Sequence, residues 1–194
     1  MPRSGKSISR RCSGRRVKIL EELEAKFIER VIEIKRVSKT VKGGKRFNIS
    51  ASVVVGDGKS MVGIGHAKAA EVVQAVKKAT EKAKKNMVKI SIKGRTIPHP
   101  VQAKFGASKV ILKPASPGTG IIACQQVRAP VEALGIQDIL TKSFGSRNPY
   151  NLATATIKAL MKLKTLEEIA RMRNKPIAEI IGKEKDYEET EDNP

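Results

Sequence analysis

The chain has 194 residues, 40% hydrophobic and 3% aromatic, and its 39 Lys and Arg against 19 Asp and Glu give a formal charge of +20. The hydrophobic share excludes a wholly disordered polycation, and no apolar run approaches the roughly 18 residues of a membrane helix. With so few aromatics no base-stacking platform is expected, and the reading is one or two folded domains whose cations meet a polyanion, nucleic acid before membrane, through phosphates and helical shape.

In chain order, residues 1–20 carry Arg3, Lys6, Arg10, Arg11, Arg15, Arg16 and Lys18 and no acid. This reads as a basic arm that orders on nucleic acid, with Arg10, Arg11, Arg15 and Arg16 as its central cations. A transit peptide is the alternative, and its removal would show in the mass of the mature protein. A short helix is predicted over residues 21–26. From Phe27 the β-branched density of Val31, Ile32, Ile34 and Val37 predicts a strand.

Residues 36–46 then set Arg36, Lys39, Lys42, Lys45 and Arg46 around Gly43-Gly44. Glycine reaches positive φ without a Cβ clash, so the chain can reverse there and project the cations from a hairpin tip. Backbone amides and long cations at such a tip suit phosphate oxygens, although a solvated hairpin end has the same composition.

Phe47, Ile49, Ala51, Val53 and Val55 alternate with Arg46, Asn48, Ser50 and Ser52, a strand with one polar face. Gly56-Asp57-Gly58 turns it back into a third strand over residues 61–64. A helix follows with Ala69, Val72, Val73, Val76, Ala79 and Ala83 as its apolar stripe. The unit reads β-β-β-α, a small sheet covered by one helix.

The alternation of residues 88–92 begins a second unit. Gly94, Pro98 and Pro100 interrupt it, and residues 101–112 read as one longer strand bent near Gly106. Residues 114–120 form a loop. A helix is predicted from Gln125 to a stop at Gly135, with Pro130 near its start or at a kink. A strand is predicted over residues 136–144. Asn148-Pro149 has the form of an N-cap followed by a proline at the first helical position, opening a helix on Leu152, Ala155, Ile157, Leu160, Met161 and Leu163. Thr165 with Glu168 forms a capping box, Pro176 opens a last short helix that Gly182 ends, and the acidic stretch beyond reads as a free tail.

Enzyme signals fail one by one. Gly58-Lys59-Ser60 resembles the end of a P-loop, but Val53 stands where the first glycine belongs and a strand, not a helix, follows. Gly63-Ile64-Gly65 lacks the rest of a dinucleotide fingerprint and reads as close packing. Pro117-Gly118-Thr119-Gly120 resembles a phosphate loop, against which a nucleic-acid backbone could lie. His66 and His99 have no metal-like or catalytic company. Cys12 and Cys124 read as a tail thiol and a small packing residue in a reducing compartment. No cofactor, metal or small-molecule substrate is expected.

Four strings together carry a resemblance: Arg36-Val37-Ser38-Lys39-Thr40-Val41-Lys42-Gly43-Gly44, Val55-Gly56-Asp57-Gly58, Lys113-Pro114-Ala115-Ser116-Pro117-Gly118-Thr119-Gly120-Ile121-Ile122-Ala123, and Gly145-Ser146-Arg147-Asn148-Pro149. Over residues 27–182 the chain resembles bacterial-type small-subunit ribosomal protein five. The resemblance implies an α+β fold: an N-terminal β-β-β-α domain like a double-stranded-RNA-binding module, then a C-terminal α/β domain with a left-handed crossover. The division expected is a basic arm (1–26), the first domain (27–87), the second (88–182) and an acidic tail (183–194).

It further implies a non-catalytic place at the back of the small subunit, bound to small-subunit rRNA beside ribosomal proteins four and eight. There the family helps assemble the subunit, supports decoding accuracy and lines the path by which mRNA enters. The expected location is cytoplasmic, or organellar if the arm is a transit peptide. The expected rRNA contacts are Arg36, Lys39, Thr40, Lys42, Gly43, Gly44, Lys45 and Arg46 in the hairpin. Gly118, Thr119, Gly120, Arg147 and Asn148 join them from the later strings. Contact with protein four falls in residues 107–120, with Ala107, Ser108 and Lys109 as its candidates. Cys124-Gln125-Gln126 departs from the Ala-Gly-Gly that many relatives carry there. The alternative is a double-stranded-RNA or DNA-binding protein outside the ribosome, and a nucleotide hydrolase built on residues 56–60 ranks third.

Overall fold

Residues 46–55 form the middle of a sheet. The computed structural model describes residues 27–92 and 94–176. In it an antiparallel sheet runs β1 (Ile28–Val41), β2 (Gly44–Gly56), β3 (Met61–Ala69) and β4 (Val88–Lys89), neighbours in that order. The basic arm, the short helix over 21–26, the last short helix and the acidic tail lie outside the described residues.

The apolar side of β2 behaves as its alternation predicts. Ala51, Val53 and Val55 are fully buried beneath helix α1 (Val72–Lys85). The helix, however, does not use the stripe that hydrophobicity marks out. Its buried side is Ala75, Ala79, Thr80 and Ala83, while Val72 and Val73 are 41% and 76% exposed and Ala69 belongs to β3. The reason is distance. A Cβ on Gly63 or Gly65 of β3 would lie 2.2 Å from the Ala83 carbonyl or 2.0 Å from that of Ala79, so small residues face glycines and the backbones touch. Gly63-Ile64-Gly65 is thus a packing motif.

The other side of β2 faces the second half of the chain and not solvent. Ser50 and Ser52 are buried, and Val54 joins Ile32, Val62 and Ile64 in a core shared with the later elements. Burying each such valine or isoleucine contributes about 1.5–3 kcal/mol. β1 meets this two-sided demand with a bulge: its register against β2 shifts between Val31 and Glu33, and Ile32 turns into the shared core.

The second half forms another four-stranded sheet, in the order β5 (Val101–Phe105), β6 (Ser108–Pro114), β8 (Ile139–Gly145) and β7 (Ile121–Ile122). The expected single bent strand over 101–112 is a hairpin, because Gly106 at φ +57° reverses the chain completely. Residues 88–92 do not begin this sheet: Val88 and Lys89 pair with Val62 and Met61 and close the first. β7 and β8 are parallel, joined through helix α2 (Gln125–Ala133). Pro130 lies inside α2, and the hydrogen bond it cannot make would have gone to Gln126 in the first turn. Cys124 is the exposed N-cap residue of α2, not a packing residue.

Helix α3 (Pro149–Leu160) covers β5 and β6, and helix α4 (Leu166–Arg173) follows. Both starts are as predicted: Asn148 caps α3 by accepting from the Tyr150 amide, and Thr165 and Glu168 form the reciprocal capping box of α4. α3 ends at Leu160, leaving Met161 55% exposed.

Candidate nucleic-acid interface

β1 and β2 continue in register to Val41 opposite Gly44, so a two-residue tip, Lys42-Gly43, closes the hairpin. Every residue from Ser38 to Asn48 is exposed. Only Gly44, at φ +143°, occupies the region that favours glycine, and a Cβ at either glycine would meet nothing within 4 Å. Positive φ is therefore needed at one glycine of the pair. Among the described residues none of Lys39, Lys42, Lys45 and Arg46 pairs with an acid. Arg36 lies over the half-exposed Phe47 ring at 3.9 Å, which fixes its stem and holds its charge on that side.

Strand alternation sorts these cations onto two faces. Arg36, Ser38 and Thr40 share one with Lys45 and Phe47. On the other, Lys39 lies directly opposite Arg46. Thr40 pairs with Lys45 beside the tip.

The loop over 117–120 is built the opposite way. The amides of Gly118 and Gly120 both donate to Oδ1 of Asp138, at 3.0 and 2.9 Å, and the Thr119 amide and hydroxyl both donate to the Ser116 carbonyl. Asp138 is 2% exposed, and its Oδ2 lies 3.6 Å from Arg95 Nε. A carboxylate of the chain itself fills the place where an incoming phosphate would sit, so these three amides are not available to one. Gly118 and Gly120 are required by their φ of +91° and +72°.

The turn at 57–60 closes in the same fashion. Asp57 Oδ1 accepts from the amides of Lys59, Ser60 and Met61 at 2.8–2.9 Å. Burial would raise the Asp57 pKa, but the amides of Met61, Ser60 and Lys59 together outweigh it and hold the carboxyl below its usual range. Gly56 packs against α2, where a Cβ would lie 2.2 Å from the Ala133 carbonyl. The segment is a hairpin turn, not a P-loop.

The remaining candidates divide. Arg147 and Asn148 are exposed at the start of α3, although the Asn148 side chain is engaged as a cap. Ala107 and Lys109 are exposed at the β5–β6 turn. Ser108 is fully buried and donates to the Ser146 carbonyl at 2.9 Å, so it does not reach the surface.

Sequence reasoning missed a cleft of about 500 Å³ between the first sheet and the start of α3, lined by Lys35, Ser50, Ser52, His66, Lys68 and Arg147 among others. His66 Nδ1 is 2.9 Å from Ser52 Oγ and Nε2 is 3.2 Å from Ser50 Oγ. Burial lowers the His66 pKa, and the charges of Lys68 and Lys82 lower it further. The neutral ring has one donor and one acceptor nitrogen, which the two hydroxyls can match. The detectable signal was cross-strand pairing, since Lys35 lies opposite Ser50 and Ser50 opposite Lys68.

Comparison with known proteins adds to this geometry. The model of ribosomal protein S5, N-terminal domain, matches residues 27–91, and that of ribosomal protein S5, C-terminal domain, matches residues 103–173. A small ribosomal subunit protein uS5 of Chloroflexus aurantiacus is 52% identical over 153 residues, covering 79% of this chain and 86% of that protein. Its counterpart from Syntrophobacter fumaroxidans is 49% identical over 161 residues, 83% of this chain and 97% of that protein. The one from Ruegeria pomeroyi is 48% identical over 164 residues, 84% and 86% respectively.

Proposed function

The chain belongs to the ribosomal protein S5 family, and from that premise we propose that it binds small-subunit rRNA chiefly through the β1–β2 hairpin. It is a structural, non-enzymatic constituent of the small ribosomal subunit. The observation that carries the proposal is the tip itself. Lys39, Lys42, Lys45 and Arg46 stand clear of both cores and, among the described residues, pair with no acid, on a strand pair rooted in a two-sided core. Each phosphate they neutralise releases counterions, so affinity falls steeply with salt.

Arg36, Thr40, Gly43 and Gly44 shape and support that tip. Thr119 and the glycines beside it offer RNA only a smooth surface, because their amides are engaged. Arg147 adds a cation beside α3. The basic arm, with Arg10, Arg11, Arg15 and Arg16, supplies further phosphate contacts.

The finer assignment is a protein that supports assembly and decoding accuracy and lines the path by which mRNA enters, beside ribosomal proteins four and eight. Ala107 and Lys109, exposed at the β5–β6 turn, are the residues for protein four. The functional division is an arm (1–26), a first domain from Phe27 that runs on through β4 to Lys89, a second domain beyond it and an acidic tail (183–194), in cytoplasmic ribosomes.

Gradient sedimentation of cell extracts tests the assignment. The tagged full chain is expected with the small subunit and absent from the top of the gradient. A free pool holding most of the protein would favour a double-stranded-RNA or DNA-binding protein outside the ribosome.

A further inference from the structure

We propose that one face of the β1–β2 hairpin and the cleft at its base form a continuous track for an RNA sugar–phosphate backbone. Lys39 and Arg46 form its outer contact, Lys35 and Lys68 its middle, and Arg147 its inner end. The inference rests on the rRNA-binding reading above and adds Lys35 and Lys68, which nothing in their local sequence marks out.

Register makes the argument. Beyond the bulge at Ile32, β1 keeps strict alternation against β2, so Lys35, Val37 and Lys39 share one face. Lys39 is paired with Arg46, and four residues down the strand, about 13 Å at about 3.3 Å per residue, Lys35 is paired with Ser50. Ser50 is in turn paired with Lys68 on β3, which sets two lysines on either side of a buried serine. The row nearest the second domain is Glu33, Ser52 and His66. Opposite it, across the cleft of about 500 Å³, stand Arg147 and Tyr150. Cations from both domains therefore line one groove at the base of the hairpin.

The charge points to a polyanion. Lys35, Lys68 and Arg147 are exposed, and Glu33, the one acid among the described residues that line the cleft, pairs with Lys35 at 2.9 Å. The floor is polar: Ser50 and Ser52 hydrogen-bond the two nitrogens of His66, whose ring contacts Tyr150 with centroids 5.3 Å apart. Exposed cations repeating along a strand suit a chain of phosphates, which carries its charges at intervals.

Filter binding of the full chain to transcribed small-subunit rRNA, across a series of salt concentrations, tests the track. Lys35→Ala, Lys68→Ala and Arg147→Ala are each expected to weaken binding a few-fold and to make the salt slope shallower by about one. Melting curves establish that each variant is folded, and Lys68→Gln repeats the test with less change of shape. Lys77→Ala, on the outer side of α1, should change neither quantity, and an equal effect there would reduce the track to general charge and overturn it. Unchanged affinity and slope in the triple variant, with binding still weakened by Lys42→Ala, would overturn the track and leave the rRNA reading standing. Indifference to both sets would remove that reading as well. Inorganic phosphate, titrated in place of RNA and followed by amide resonances of Lys68 and Arg147, should bind only weakly. Tight, saturable phosphate binding that RNA does not displace would assign the cleft to a free anion and overturn the proposal.

Discussion

Two glycine loops carry the same sequence signature and have opposite architectures. At the hairpin tip the glycines sit between exposed cations, and a Cβ there would meet nothing. At 117–120 the glycines are as open on the outside, but their amides converge on the buried Asp138 carboxylate. A glycine-rich phosphate motif shows that a backbone can cradle an anion. It does not say whether that anion arrives from outside or is supplied by the fold. The first loop is free to serve a ligand, and the second uses the same physics to hold β6, β7 and β8 in place.

Removing the internal anion should break the contrast most severely. Asp138→Ala leaves two amides without their acceptor in a buried setting and is expected to cost about 3 kcal/mol in denaturant unfolding. If the loop were instead an open phosphate cradle, the variant would keep its stability and bind rRNA more tightly. Gly44→Val comes next, at about 1–2 kcal/mol, because its φ of +143° strains any L side chain. The same change at Gly43, which has no such φ, should stay within about 0.5 kcal/mol, and rRNA affinity should fall further for Gly44→Val than the loss of folding explains. The double variant Lys42→Ala, Lys45→Ala should keep its stability within about 0.5 kcal/mol while its salt slope becomes shallower by about two.

The smallest effect lies in the cleft beside the hairpin. Because burial and the charges of Lys68 and Lys82 lower the His66 pKa, the unfolded chain takes up this proton more readily than the folded one. His66 therefore leaves stability intact above its unfolded pKa near 6.5 and weakens the fold as pH falls below it. Melting temperatures of His66→Gln should show a flatter pH dependence in that window, and an unchanged profile would mean that His66 titrates alike in both states.

Much of the fold was legible because its signals are local. The alternation of β2, the Asn148-Pro149 start and the Thr165–Glu168 box each report on a few neighbouring residues, and all three appear as read. What failed depended on distant partners. Hydrophobicity selected Val72 and Val73 for the buried side of α1, but Gly63 and Gly65 bring the helix backbone so close at Ala79 and Ala83 that small residues take the contact. The alternation marked Ser50 and Ser52 as a polar face, but not that both are buried and hydrogen-bonded to His66 of the next strand. The candidate site divided along the same line. The tip was legible as a run of cations around two glycines, but the closure of 117–120 needed Asp138 from eighteen residues beyond Gly120, and the cleft needed three strands in register.

Ultraviolet crosslinking of the full chain to RNA in intact cells, with peptide and RNA mapped together, tests the central claim most directly. The account predicts adducts within β1 and β2 around Lys39, Lys42, Lys45 and Arg46, joined to small-subunit rRNA. Adducts confined to 117–120, or joined to RNA from outside the small subunit, would contradict it.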